Sequence, residues 1–249
     1  MNLSGKKVIV TGGVRGLGRG MVEKLVSKDA LVTVFDIDVH GLDVLRGQYE
    51  EVNCLVCDVS KYEDVIRATA EYHERFGSAD VLINNAGILY SAPLISISAE
   101  GIVKHDIAMW NKVIEADLSS VFYMTLCIIE KMITLRTKGV IVNISSVSAS
   151  GNAGQSAYSA AKAGVEALTA TWSKELSLMG IRVVGIAPGY TETESTRQAL
   201  KEKMLQEIIK KVPLRRLGKP EEIADGVISV IENDFFNGKV FRLDGGLIV

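Results

Sequence analysis

Proline is scarce in this chain, four in 249 residues, and there is no serine- or glycine-rich tract, low-complexity segment or internal repeat. Nothing therefore marks a linker, and one domain spanning 1–249 is expected. Cysteine is scarcer still, at three residues. Cys54 and Cys57 have CxxC spacing, but no second cysteine pair or nearby histidine completes a metal site, so both read as core-strand residues. Cys127 lies in a long helical pattern and reads as packing. A basic excess is also missing. Lys and Arg number 28 against 30 Asp and Glu, a net charge of −2 with a pI near 6.0, which leaves no footprint for nucleic acid and points to small-molecule partners. The N-terminal apolar run VIV, ahead of Thr11, is too short for a signal peptide or a membrane span, so a cytoplasmic setting is expected.

What the chain does have is 47% hydrophobic content arranged in alternation. KKVIVTGG reads as a short apolar strand running into glycines, and GLGRGMVEKLVSKD as a helix with Leu17, Met21, Val22 and Leu25 at helical spacing. ALVTVFDID, VNCLVCDVS, SADVLINNAG, GVIVNISS, IRVVGIAPG and NGKVFRLDGG supply six further strands, with helical patterns between them. Apolar strands alternating with helices predict an α/β fold with a parallel sheet covered on both faces. The pattern loosens over 91–106, and a long helix is expected from about Ile107 to Leu135. The polar, partly helical segment 190–212 is a candidate lid over a substrate. KPEEIADGVISVIEN is a helix with a proline near its first turn and acids behind it.

The glycine-rich run TGGVRGLG follows the first strand and opens a helix, the arrangement a dinucleotide pyrophosphate requires. Gly12 lets the chain turn, Gly16 lets the backbone approach phosphate, and Gly18 allows close helix packing; Arg15 and Leu17 lie in the same loop. Asp36 ends the second strand, 20 residues beyond Gly16. An acid there accepts hydrogen bonds from an adenosine ribose and repels a 2′-phosphate, which favours NAD over NADP; Arg15 pulls toward NADP. Asp38 reads as a turn residue or helix cap. Asp58 and Val59, after the third strand, either line an adenine or start the next helix.

Tyr158 and Lys162 are four apart in QSAYSAAKAGVEALTATWSKEL, which reads as a helix, so they share a face. A lysine cation beside a phenol favours phenolate, lowers the tyrosine's pKa and makes it a usable proton donor and acceptor. A nearby serine hydroxyl could steady a carbonyl or alcohol oxygen.

Together TGGVRGLG, the aspartate after the second strand, CDV, NNAG, ISS, YSAAK, APG and the closing LDGG resemble the short-chain dehydrogenases/reductases over essentially the whole chain. The resemblance implies a three-layer, Rossmann-like doubly wound fold with a seven-stranded parallel sheet. It implies a homotetramer or homodimer built on the long fifth and sixth helices, and hydride transfer between a nicotinamide and a carbonyl or alcohol carbon. By position, Tyr158 would be the acid/base, and Lys162 would hold the nicotinamide ribose. Asn85, Ala86 and Gly87 would pass beside the cofactor, and Pro188 to Thr193, with Gly189 and Thr191, would meet its carboxamide.

Three departures stand out. Asp117, in EADLSSVF, occupies the place of the family's relay asparagine, so the relay is altered or the aspartate protonated. Val184 stands where the family has an asparagine. The family's serine-to-tyrosine interval of 13 falls on Ser145, whereas registration of the strand GVIVNISS favours Ser146. Segment 91–106 is an insertion at the substrate rim. Within it His105 reads as a surface or interface residue, and Tyr90 and Tyr190 are candidate substrate contacts. The expected activity is NAD(H)-dependent oxidoreduction of a secondary alcohol or ketone. GNAGQSAYSAAKAG and PLRRLGKPEEIADGV resemble the family's 3-oxoacyl-acyl carrier protein reductases, which commonly use NADPH. A sugar or polyol dehydrogenase and a dinucleotide-binding protein with reduced catalysis are the alternatives.

Overall fold

A computed structural model describes residues 1–98, 101–199 and 202–247. The alternation read from the sequence is realised as β1 (Lys7–Thr11), α1 (Gly16–Val26), β2 (Leu31–Asp36), α2 (Val39–Gln48), β3 (Asn53–Val56), α3 (Tyr62–Phe76) and β4 (Val81–Asn84). A hairpin of β5 (Ile95–Ser98) and β6 (Gly101–Lys104) follows, then α4 (Ile107–Ile114), α5 (Ser120–Thr134), β7 (Gly139–Ile144), α6 (Ser156–Leu176) and β8 (Ile181–Pro188). The chain continues through α7 (Glu194–Ala199), α8 (Glu202–Lys211), α9 (Pro220–Glu232) and β9 (Val240–Leu243).

The seven long-range strands form one parallel sheet in the order β3-β2-β1-β4-β7-β8-β9. Strand order reverses between β1 and β4, so the loops leaving these neighbours part to opposite faces and open a crevice at their carboxyl ends. Helices cover both faces because the strands are apolar on both. On one side α1, α2 and α9 pack Met21, Leu25, Leu42, Leu45 and Ile228 against Val8, Val10 and Val34. On the other, α3, α5 and α6 pack Tyr72, Met124, Ile128 and Val165 against Ile9, Phe35 and Leu82. Cys54 belongs to the first layer and Cys57 to the second, consistent with core-strand residues. Val184 is fully buried in β8, where it pairs in register with Val142.

One polar ladder crosses this core. The Asn84 side-chain amide donates to Thr125 Oγ1 at 3.0 Å and to Asn143 Oδ1 at 2.9 Å, and the Asn143 amide donates to Thr169 Oγ1 at 3.0 Å. These bonds tie β4 and β7 to α5 and α6 in one register, although the Asn84 side-chain oxygen itself finds no partner.

Two segments differ from the sequence reading. The stretch 91–106 is a β-hairpin whose strand residues are all exposed, Ile97 at 83%. Its base is tied to the start of α6 by a bridge between Ala92 and Gln155. The helix expected from Ile107 to Leu135 is interrupted by a π turn at Glu115–Ser119, which inserts an extra residue and re-aims Asp117 inward. The candidate lid contains α7 and α8; its residues 200 and 201, like 99 and 100 of the insertion, lie outside the described residues. Among the described residues no helix is long and apolar enough to cross a membrane.

Candidate active site

The crevice at the carboxyl ends of β1 and β4 is a cleft of about 520 Å³. Its floor begins at the glycine loop. Gly12 adopts φ +67°, and a Cβ on Gly18 would lie 2.0 Å from the Gly12 carbonyl oxygen, so only glycine lets α1 start this close to the turn. The first turn of α1 has neither a side-chain cap nor an acidic residue, which leaves the positive end of its dipole turned to the cleft. The loop after β4 is tied to this turn. Thr11 Oγ1 accepts the Asn85 and Ala86 N–H groups at 3.0 Å each, and the Asn85 side-chain amide donates to the Thr11 and Gly12 carbonyls, both at 3.0 Å.

Asp36 closes one end of the cleft and is 8% exposed. Its carboxylate accepts the Val14 N–H at 3.2 Å and the Asp38 N–H at 3.0 Å, which fixes it at the end of β2. Arg15 lines the same end. Asp38 caps α2 by accepting the Gly41 N–H at 2.9 Å. Asp58 accepts from the Ser60 N–H at 3.0 Å and the Ser60 hydroxyl at 2.6 Å, and lies on the cleft wall with Cys57 and Val59. Burial, then Asp64, pushes the Cys57 thiol up to about 12, so it is an inert wall and not a thiolate.

At the other end, α6 carries Tyr158 and Lys162 one turn apart, as their spacing predicts. The two candidate serines leave β7 in opposite directions. Ser145 Oγ points to the body of α6, donating to Glu166 Oε1 at 3.0 Å and to the Lys162 carbonyl at 3.3 Å. Ser146 Oγ accepts the Ser148 N–H at 3.1 Å and faces the Tyr158 phenol, whose pKa its hydroxyl works to lower. Of the two, Ser146 is the serine beside the phenol.

Lys162 is 4% exposed. Its ammonium donates to the Ile144 carbonyl at 3.1 Å, forms an ion pair with Asp117 Oδ1 at 3.2 Å, and lies 5.6 Å from the centre of the Tyr158 ring. Asp117 is 1% exposed, and its other oxygen accepts the Ile88 N–H at 3.0 Å. Burial drives the Asp117 pKa up, opposed by Lys162 and the Ile88 N–H, and the net direction is upward. For Lys162, burial works downward, but Asp117 and Tyr158 outweigh it and the ammonium is held above its usual range.

The expectation of a lowered tyrosine pKa is corrected by these contacts. Burial raises the Tyr158 pKa, Lys162 lowers it, and Asp117 raises it again; the net direction is upward. The cation is present where the sequence places it, but it sits inside an ion pair.

All the residues singled out for catalysis or cofactor binding line this one cleft: Asp117, Ser145, Ser146, Tyr158 and Lys162 toward one end, and Gly12, Arg15, Gly16, Leu17, Gly18 and Asp36 toward the other. Asp58, Val59, Asn85, Ala86, Gly87, Pro188, Gly189, Thr191 and Thr193 complete its walls. Tyr190 also reaches the cleft, whereas Tyr90 packs behind it with Ile88, Trp110 and Tyr158. His105 stacks edge-on to Tyr90 and Trp110, at 5.5 and 6.5 Å between ring centres.

Sequence reasoning passes over a polar cluster beside Tyr158. Gln155 Oε1 accepts from the Ser148 hydroxyl at 2.8 Å and from the Asn152 amide at 3.1 Å, and the Gln155 amide donates to Ser91 Oγ at 3.1 Å. The Asn152 amide also donates to the Tyr190 hydroxyl at 3.1 Å. The polar residues of GNAGQSAY, immediately before the tyrosine, are the signal that could have revealed it.

Residues 6–204 match the family model described as short chain dehydrogenase. The chain is 36% identical over 256 residues to the 3-oxoacyl-[acyl-carrier-protein] reductase FabG of Thermotoga maritima, covering 100% of both proteins. It is 34% identical to the Chlamydia pneumoniae protein of the same name, over 99% of this chain and 98% of the other. Among solved structures, an Agrobacterium tumefaciens protein provisionally assigned as a gluconate dehydrogenase superposes with a TM-score of 0.89 at 29% identity, over 99% of this chain and 97% of that one. The protein gox2181 does so at 0.88 and 30%, over 98% and 96%. A family match spanning most of the chain, full-length relatives and a glycine-lined crevice in a doubly wound sheet agree: the chain belongs to the short-chain dehydrogenase family and is an NAD(P)-dependent oxidoreductase acting on CH–OH or carbonyl groups.

Proposed function

We propose that this protein interconverts a ketone and a secondary alcohol, with Tyr158 as proton donor and acceptor, and that 3-oxoacyl chains are its leading substrate class. The observation that carries the chemistry is the meeting of the Tyr158 phenol, the Ser146 hydroxyl and the Lys162 ammonium at one end of a cleft whose other end is the glycine loop. The glycine-only approach of Gly18 to Gly12 and the uncapped start of α1 fit a pyrophosphate, and Asp36 fits a ribose diol. Gly12, Gly16 and Gly18 would hold the phosphates, Asn85 to Gly87 and Pro188 to Thr193 the nicotinamide half, and Lys162 its ribose. The nicotinamide, when bound, supplies or accepts the hydride.

Ser146 steadies the substrate oxygen by donating a hydrogen bond. Tyr158 gives that oxygen a proton in reduction and takes it back in oxidation. Lys162 holds positive charge beside the phenol and eases its loss of a proton. The 3-oxoacyl assignment rests on full-length similarity to reductases of that name. Asp36 favours NAD(H), because a 2′-phosphate at its carboxylate would meet like charge.

A sugar or polyol is the second reading, favoured by the Ser148, Asn152, Gln155 and Tyr190 cluster and by the Agrobacterium tumefaciens neighbour. Retention of Ser146, Tyr158 and Lys162 at one point argues against a purely binding role. The homodimer or homotetramer expected through α5 and α6 is supported by the exposed Phe122 and Leu126 on α5.

Titration with NADH and NADPH, followed by a turnover screen over 3-oxoacyl thioesters, sugar acids and polyols, tests these assignments. Tight NADH binding and thioester turnover are expected. Preferential NADPH binding would overturn the reading of Asp36, and turnover of polyols alone would replace the substrate class.

A further inference from the structure

The π turn carries a carboxylate, Asp117, that is fully inside the protein. Asp117 Oδ2 is fixed by the Ile88 N–H at 3.0 Å, and Oδ1 faces the Lys162 ammonium at 3.2 Å. Oδ1 also sits against Gly87, where a Cβ would lie 2.3 Å away, so only a glycine at 87 leaves room for the carboxylate. An asparagine here would offer Lys162 a neutral oxygen. An ionised aspartate offers a full negative charge, in a setting where water does not screen it.

Resting on the proposed role of Tyr158, we propose that Asp117 is a positioning residue that acts as the fixed counter-ion of Lys162, holding the ammonium in an internal ion pair and withdrawing part of its charge from Tyr158. The acid/base group of this chain is then set by an Asp117–Lys162–Tyr158 triad. The titratable groups facing the phenol are Lys162 on its own helix, Asp117 on the π turn and Tyr190 beyond β8; Lys112 of α4 lies on the same cleft wall. Of these Asp117 is the buried anion, and it works against Lys162. Its effect is to keep Tyr158 in the phenol form to higher pH and to hold Lys162 charged. A lysine ammonium has three protons; one goes to the Ile144 carbonyl, and Asp117 Oδ1 stands at ion-pair distance without a hydrogen-bond partner of its own. At least one proton remains for a ribose hydroxyl, so the pairing is compatible with cofactor binding.

The test is ultraviolet difference titration of tyrosinate in the cofactor-free protein, comparing wild type and D117N, each against its own Y158F partner to isolate Tyr158. Loss of the aspartate charge is expected to move the Tyr158 midpoint down by about one pH unit or more. An unchanged or raised midpoint would overturn the proposal, because a merely structural aspartate would leave the titration where it was. Should D117N fail to fold, carboxyl carbon and ammonium nitrogen resonances of the wild type decide. Asp117 ionised and Lys162 protonated at neutral pH support the ion pair, and a protonated Asp117 or a neutral Lys162 overturns it. These measurements need no turnover. A shifted midpoint with no dehydrogenase activity on any carbonyl or alcohol would refute the proposed function and leave the triad standing; turnover with an unshifted midpoint would do the reverse.

Discussion

The choice between two adjacent serines shows how one residue of register decides chemistry. Ser145 and Ser146 leave β7 on opposite sides, so Ser145 reaches Glu166 while Ser146 reaches the phenol. S146A is therefore expected to lower kcat by about a hundredfold, as removal of an oxyanion donor does. S145A is expected to leave kcat within a few-fold and to lower stability by about 1 kcal/mol through loss of one buried hydrogen bond. Steady-state kinetics and denaturant melts of the two variants separate these outcomes. The upward direction of the Tyr158 pKa gives a pH expectation. A group raised above its usual range stays protonated through neutral pH and loses its proton only as pH climbs. Reduction, which needs the phenol, is then sustained near neutrality and falls on the alkaline side, while oxidation, which needs the phenolate, rises there. Paired pH profiles of the forward and reverse reactions would check the sign.

At the level of elements, the glycine loop has the least tolerance. A Cβ on Gly18 would meet the Gly12 carbonyl at 2.0 Å and the Asn85 amide nitrogen at 2.6 Å. G18A is expected to cost about 1–3 kcal/mol of stability through forced displacement of this turn, and to weaken nicotinamide-nucleotide binding at least tenfold. A thermal melt with a parallel fluorescence titration would show both. The loop, the seven sheet strands and most helices between them were legible in the sequence; the inner strands are buried on both faces and so read as continuous apolar runs, whereas the edge strand β9 is only partly buried. The hairpin β5–β6 was not, because its isoleucines are exposed and burial periodicity does not apply to them. The π turn was equally hidden. EADLS reads as ordinary helix, and the extra residue that turns Asp117 inward leaves no mark in composition.

For the molecule as a whole, the sheet's strand order predicts where the site must lie, and the cleft is there. Residue types far apart in sequence, from Gly12 to Thr193, become one surface only because β1 and β4 are neighbours and their connections diverge. The Tyr158–Lys162 pair could be read from spacing alone. The ion pair that modifies it could not, since it joins residues 45 apart through a fold-dependent contact. In the Ser148–Asn152–Gln155–Tyr190 cluster only the contact to Tyr190 was hidden for the same reason; the other three residues are neighbours in GNAGQSAY and just before it. Everything proposed for this site depends on Tyr158 moving the substrate's proton in a nicotinamide-dependent reaction. That role is tested most directly by comparing wild type and Y158F for cofactor binding and for consumption of reduced nicotinamide with a 3-oxoacyl thioester, or with whichever carbonyl substrate the screen identifies. Y158F is expected to bind the cofactor within a few-fold of wild type and to turn over about a thousandfold more slowly, within the range for a lost general acid. Y158F turning over at the wild-type rate would contradict it.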